Sequence, residues 1–296
     1  MSESVQAAIR TKAKELLERG EVGCVVGYEL GPRGRIRPAF VYEPDDAERL
    51  VWGDQCHHNL MVFLHDRKAP PRRGEKPQRV AVVAKPCDVR ALNVLLHEGQ
   101  IERDRVFVIG VACAGMCQDD FSSSPGEAGV LEARCGRCAE RVPVFYDVLV
   151  GEPPAVDPPA EDWADVVELE GMTVEERRAF WAREFDRCIR CYACRQACPG
   201  CYCFECMAEQ VDPPWMGIAI ELPEKAFFHV MRAYHLAGRC VECNACGEAC
   251  PMDIPLSLLN RKLAKEVEDL FDFRAGGDPD TPPPLATFRK DEELPL

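Results

Sequence analysis

Apolar positions change rhythm about halfway along the chain. Ser2–Arg19 has the amphipathic spacing of a helix and stops at Gly20. Val22–Glu29 and Ile36–Tyr42 read as strands joined by a Gly31-Pro32-Arg33-Gly34 turn. A helix is expected over Gln55–His65, followed by a basic, proline-rich loop from Arg67 to Pro77. Then come an apolar run, Val80–Lys85, an amphipathic helix, Asp88–His97, and a second apolar run, Val106–Val111. Two apolar runs around one such helix predict parallel strands in a small α/β sheet. Val142–Val150 is a further strand candidate.

The rhythm breaks at Gly151–Pro159. Four prolines among residues 153–159 fit neither a helix interior nor a central strand, so the segment reads as a stiff linker. Beyond it the pattern is helical. Thr173-x-x-Glu176 is a capping box opening a helix through Phe185, and Pro223 opens another over Glu224–Leu236. Leu256–Phe271 is a third helix. The resulting division is an α/β domain over 1–151, a linker over 152–172, a mostly helical domain over 173–275 and a flexible tail over 276–296.

Cysteine changes this picture most. Cys188-x-x-Cys191-x-x-Cys194-x-x-x-Cys198-Pro199 is repeated 52 residues later as Cys240-x-x-Cys243-x-x-Cys246-x-x-x-Cys250-Pro251. This spacing wraps 4Fe–4S groups, three thiolates of one loop reaching one cube and the fourth ligating the other. The expected ligand sets are Cys188, Cys191, Cys194 and Cys250, then Cys240, Cys243, Cys246 and Cys198. Structural zinc can also be held by four thiolates, but it requires neither the third spacing nor the proline. Compact βαβ ferredoxins separate their motifs by less, so the helical domain reads as an α-helical or strongly inserted dicluster, ferredoxin-like domain.

Ten of the 18 cysteines remain. Cys201-x-Cys203-x-x-Cys206 follows the first motif directly and suggests another metal site, with buried, apolar-packing thiols as the alternative. Cys56 is assigned as its fourth ligand by arithmetic alone. In the α/β domain, Cys87 and Cys113 follow the two expected parallel strands, at the edge where open α/β folds collect ligands. With Cys135-x-x-Cys138 they make a four-thiolate site for a third 4Fe–4S group or for zinc. Cys87, at a helix start near Lys85 and Arg90, also reads as a redox nucleophile. Cys24 and Cys117 stay unassigned, and His57, His58, His229 and His235 are expected to pack rather than to bind.

Composition narrows the setting. The chain has 296 residues, enough for two cores, and a formal net charge of −14 that argues against nucleic acid and anionic lipid as partners. No signal peptide or apolar span is evident, so the thiols are expected to be reduced, cytoplasmic and metal-bound.

Lys85-Pro86-Cys87-Asp88 with Arg90-Ala91-Leu92, Ile109-Gly110-Val111-Ala112-Cys113-Ala114-Gly115 and Cys135-x-x-Cys138 resemble the iron–sulfur beta subunits of deazaflavin-dependent hydrogenases and formate dehydrogenases. Cys188–Cys194, Cys201-Tyr202-Cys203 and His235–Cys240 resemble a branch of that family fused to a dicluster domain and found beside heterodisulfide-reductase-like flavin subunits. The resemblance implies an electron-relay subunit in an anaerobic redox complex, partnered by a flavoprotein and a hydrogenase or dehydrogenase. Members acting on the deazaflavin also bind FAD, yet no Gly-x-Gly-x-x-Gly fingerprint follows a strand here. Two other functions stay open. One is a flavin-bearing subunit exchanging hydride with a deazaflavin or nicotinamide, using Lys85, Arg90 and Arg72-Arg73 on phosphates. The other is a zinc-stapled interaction module.

Overall fold

The computed structural model describes residues 2–68, 79–118, 130–155 and 163–284, which fall into two compact units. The first contains residues 2–155 and 276–280, and the second contains 163–275.

The first unit is an α/β structure. Helix α1 (Ser2–Glu18) precedes strands β1 (Cys24–Leu30) and β2 (Ile36–Val41); β3 (Val80–Ala84), helix α2 (Pro86–His97), β4 (Val106–Val111) and β5 (Val148–Val150) follow. The sheet order is β2-β1-β3-β4-β5, antiparallel between β1 and β2 and parallel elsewhere. Valine-rich β3 and β4 are buried on both faces, as central parallel strands require. Alternation assigns the faces. Ala81, Val83, Ile109 and Val111 share one core with Ile9, Ala13 and Leu16 of α1. α2 contacts β3 and β4 as well.

Two expected elements are corrected. Residues 55–59 are irregular, and a 3-10 run, Leu60–Lys68, replaces the helix expected over Gln55–His65. Tertiary bonds take the carbonyls that helix would use: Tyr28 Oη donates to His58 O at 2.5 Å, and Lys85 Nζ donates to Cys56 O and His58 O, each at 2.9 Å. The strand expected over Val142–Val150 pairs only at Val148–Val150. Pro143 has no ladder donor, and Asp147 Oδ2 accepts from Val108 N at 2.7 Å, so a side chain replaces the missing strand. The basic loop expected over Arg67–Pro77 falls mostly outside the described residues.

Residues 276–280, assigned above to the tail, pack within this first unit. Asn93 Nδ2 donates to Gly276 O at 3.3 Å and to Asp278 O at 3.0 Å, and His97 Nε2 lies 2.7 Å from Pro279 O. The tail beyond residue 284 and the linker at 156–162 lie outside the described residues.

The second unit is helical. Helix α3 (Ala133–Gly136) closes the list of the first unit; here α4 (Ala164–Gly171), α5 (Val174–Asp186), α6 (Ala193–Gln196), α7 (Leu222–His235), α8 (Ala245–Glu248) and α9 (Leu256–Phe271) follow in order. The capping box is formed: Glu176 N donates to Thr173 Oγ1 at 3.2 Å and Thr173 N to Glu176 Oε2 at 2.8 Å. α4 lies inside the segment expected to be linker. It is held by burial of Val166 and Leu169 and by Arg261 of α9, which meets Asp165 at 3.0 Å and stacks on Trp163 at 4.6 Å. Among the described residues, no helix is long and apolar enough to cross a membrane.

Gly276 supplies a test of the packed segment. It has φ +68°, and a Cβ there would stand 2.1 Å from the Arg90 carbonyl oxygen. Gly276→Ala therefore combines a left-handed backbone penalty with a backbone collision. It should destabilise the first unit by more than about 2 kcal/mol in chemical denaturation.

Candidate metal centres

The two repeated motifs fold alike in the second unit. In each, the second and fourth residues after the first cysteine are non-glycine residues in the left-handed region: Arg190 (φ 54°) and Tyr192 (58°), then Glu242 (61°) and Asn244 (53°). Each motif then makes a one-turn helix, α6 or α8, and these two turns pack together. The left-handed residues bend the backbone so that its N–H groups face sulfur. Arg190 N donates to Cys188 Sγ at 3.3 Å, and the Glu242 amide donates to the Cys240 thiol in the same way.

The fourth cysteines cross over. Cys188 lies in electrostatic contact with Cys250 and Cys191, and Cys194 with Cys246 of the other motif as well as with Cys188 and Cys250. Cys246 lies likewise with Cys198 and Cys243, and Cys240 with Cys246 and Cys243. Cys188, Cys194, Cys246 and Cys250 share an apolar cluster with Phe228, Ile254 and Leu256. Burial pushes the thiols up, Cys194 to about 12 and Cys246 to about 11. Cys191 is exposed.

Helix α7 supplies two residues that sequence reasoning passed over or left as packing. Arg232 is buried, donates to Cys194 O at 3.0 Å and reaches the thiols of Cys201 and Cys246. One turn earlier, His229 stacks on Phe185 at 4.9 Å and meets Phe228 edge-on, and neither ring nitrogen has a hydrogen-bond partner among the described residues. Burial, aided by the Arg232 charge, pushes the imidazole down to about 4, so it is neutral near pH 7. Helical spacing of three residues between them was the available signal.

The Cys201, Cys203 and Cys206 group is only partly gathered. Cys201 hydrogen-bonds Cys198, which lowers its pKa, while Cys203 is exposed and Cys206 half-buried. Cys206 lies near Arg195, whose Nη1 meets Glu209 at 2.5 Å. Cys56 lies in the first unit and the trio in the second. It is fully buried in the first unit, where its neighbours are Lys85, Asp88 and Asp54, and burial pushes its thiol up to about 11.

In the first unit, Cys87 and Cys113 stand at the C-terminal ends of β3 and β4. Cys113 is in electrostatic contact with Cys135, Cys138 with Cys113, and buried Arg134 with both Cys87 and Cys135. Backbone amides again face sulfur: Gly115 N donates to Cys113 Sγ at 3.4 Å and Met116 N to Cys135 Sγ at 3.2 Å. Beside them Glu132 binds both Arg134 and His57, a buried charge network that sequence reading missed. Cys24 is buried in β1, and Cys117 bridges to Leu131 and hydrogen-bonds Asp54.

Lys85 and Arg90 are both buried and ion-paired. Lys85 is 1% exposed; its ammonium binds Tyr28 Oη and the Cys56 and His58 carbonyls, and it pairs with Asp88 at 3.0 Å. Burial acts to lower its pKa, but Asp88 and Tyr28 outweigh this and hold it charged. Arg90 is 2% exposed and pairs with Glu140 at 3.2 Å. Arg72-Arg73 lies outside the described residues.

No family model matches the chain. The F420-dependent formate dehydrogenase subunit beta of Methanocaldococcus jannaschii is 24% identical over 289 aligned positions, covering 70% of this chain and 76% of that protein. The F420-dependent formate dehydrogenase 1 subunit beta of Methanococcus maripaludis is 24% identical over 377 aligned positions, covering 94% and 92%. The chain thus resembles deazaflavin-dependent dehydrogenase beta subunits over most of its length, in agreement with its motifs.

Two stability experiments check this electrostatic account. Lys85→Met leaves Asp88 buried without its cation, and should lower folding stability by about 3–5 kcal/mol; a phosphate-binding lysine at the surface would leave stability unchanged. His229 has a native pKa of about 4 against about 6.5 unfolded, so only the unfolded chain gains its proton at mildly acid pH. The stabilisation is therefore complete above pH 6.5 and declines as pH falls toward 4. The loss by pH 5.5 is about 1.4 kcal/mol. Denaturation at pH 8 and 5.5 should show this drop in the wild type and its disappearance in His229→Phe.

Proposed function

We propose that the chain is an electron-transfer iron–sulfur subunit of an oxidoreductase complex, with its second unit acting as a dicluster 4Fe–4S domain. Cys188, Cys191, Cys194 and Cys250 would hold one group, and Cys240, Cys243, Cys246 and Cys198 the other. Cys87, Cys113, Cys135 and Cys138 of the first unit would hold a third. The observation that supports the reading is that each motif's fourth cysteine acts on thiols of the other motif, Cys250 on Cys188 and Cys194, and Cys198 on Cys246.

Bound 4Fe–4S groups supply reversible one-electron storage without bond chemistry on a substrate. The chain's residues perform the remaining tasks. Amides at Arg190, Glu242, Gly115 and Met116 donate to cysteine sulfur, and such bonds favour the anionic ligand. Phe228, Ile254 and Leu256 exclude water from the paired motifs. Exposed Cys191 brings one ligand set to the surface, where a partner can exchange electrons with it. The partners we infer are a flavoprotein subunit and a formate dehydrogenase or hydrogenase subunit, in an anaerobic cytoplasmic setting. The relatives named as beta subunits support assembly with other subunits.

A second reading draws on the words "F420-dependent" in both relatives' names. On that reading the chain itself binds FAD and exchanges hydride with a deazaflavin. Lys85 and Arg90, which pair with Asp88 and Glu140, would then have to meet phosphate from buried positions. The Cys201, Cys203 and Cys206 group carries no cluster assignment in this reading; Cys56 lies in the first unit, where Lys85, Asp88 and Asp54 act on it.

Anaerobic purification followed by iron, acid-labile sulfide, zinc and flavin analysis tests these readings together. About twelve irons per chain are expected from three cubanes, and Cys135→Ser with Cys138→Ser should lose about four of them. Zinc in place of iron overturns the electron-transfer reading. Stoichiometric flavin released on denaturation favours the hydride reading.

A further inference from the structure

Among the described residues of the second unit, the buried cations Arg261 and Lys225 have carboxylate partners: Arg261, 1% exposed, meets Asp165 and Glu242, and Lys225 faces Asp186. Arg232, 7% exposed, is held instead by sulfur: Cys198, Cys201, Cys246 and Cys194 are the groups that act on its charge. A neutral thiol cannot balance a buried guanidinium, whose desolvation costs several kcal/mol by general estimates (~3–5 for an unpaired buried charge). Thiolates bound to iron can. The contacts also divide between the proposed ligand sets. Arg232 donates to the carbonyl of Cys194, from one set, and reaches the thiol of Cys246, from the other, with Cys198 of that second set also close.

We propose that Arg232 is a shared positioning cation that raises the reduction potentials of both 4Fe–4S groups of the second unit together. The proposal rests on the dicluster reading above. A group that takes up one electron gains one negative charge, while the guanidinium keeps its positive charge and no proton moves. Fixed positive charge beside the ligands favours that added electron. His229, one turn away, stays uncharged and adds no second cation. Because a single guanidinium touches both sets, its removal should shift two potentials rather than one. In an electron relay this keeps neighbouring centres matched, so that neither becomes a trap for the electron.

The test uses the full-length chain, purified anaerobically, with redox titration followed by electron paramagnetic resonance. Arg232→Gln should keep its iron and sulfide but lower both midpoints. At a fixed potential near the wild-type midpoint, the ratio of reduced to oxidised centres should fall at least tenfold, or about 59 mV for a one-electron couple. Arg232→Lys, which retains the charge, should shift both by less. An iron-replete Arg232→Gln chain with unchanged midpoints overturns the assignment, and a shift in only one centre overturns the shared role. Should the glutamine variant lose iron, wild type labelled with 15N in the arginine guanidinium alone decides the matter. Couplings to both reduced centres, absent from Arg232→Lys, support the proposal, and no such coupling overturns it. A wild-type chain without iron removes the dicluster reading itself, an outcome distinct from iron-replete chains whose potentials do not respond.

Discussion

A tight loop that turns its backbone amide back onto the sulfur of its own first cysteine leaves the right-handed backbone region here. Four non-glycine residues do so, in two pairs at equivalent motif positions: Arg190 with Tyr192, and Glu242 with Asn244. Each costs about 1–2 kcal/mol in the absence of compensation. Part of the compensation is visible in the side chains. Arg190 Nη1 donates to Gly217 O and Ala219 O, each at 2.6 Å, and its Nη2 to Tyr192 Oη at 2.7 Å, so the strained residue also pins the insertion between the motifs. Glu242 pairs with Arg261, and Arg274 lies 3.5 Å away. The remainder of the second unit is arranged around these loops: α6 and α8 continue from them, α7 supplies Arg232 above the thiols, and Asn260 of α9 donates to Cys246 Sγ at 3.6 Å.

The first unit meets a similar electrostatic problem with different means. Its buried ammonium, Lys85, has a carboxylate, a phenol and two carbonyls around it, a closed set that needs nothing from outside. Arg134 has Glu132, with His57 beyond. Arg232 in the second unit has thiols where these residues have carboxylates. The contrast separates a cation that belongs to the fold from one whose balance depends on what the thiols bind.

Much of this was legible in the sequence because its signals are local. The valine runs at residues 80–84 and 106–111 could only be doubly buried strands, and Thr173 with Glu176 forms the capping box its spacing predicts. The cysteine motifs specified which thiols share a loop. What failed depended on tertiary partners. The residues at 55–59 look helical in isolation, but Tyr28 and Lys85 capture their carbonyls. Lys85 and Arg90 resemble exposed anion binders at a helix start, and only the packed fold reveals Asp88 and Glu140 as their partners. α4 follows a proline-rich stretch closely enough to be taken for linker, and its anchor, Arg261, lies 96 residues further on.

The thiols of the first unit show why convergence on a sheet edge is not sufficient by itself. β3 and β4 deliver Cys87 and Cys113 to the same edge, but Cys135 stands on a short helix, α3, rather than on a strand. Its approach depends on Gly115. That residue has φ +113°, a conformation side chains rarely adopt, and a Cβ there would lie 2.5 Å from Leu131 Cδ1 and 3.2 Å from Cys135 Cβ. The glycine lets the loop pass close enough for its own amide to reach Cys113 sulfur while the next amide, Met116, reaches Cys135 sulfur. The sheet therefore determines where two of the four thiols emerge, and one residue without a side chain determines whether a third can join them. In the second unit the same close approach is achieved by strained residues that keep their side chains, because those side chains are needed to hold the insertion and the neighbouring helices in place.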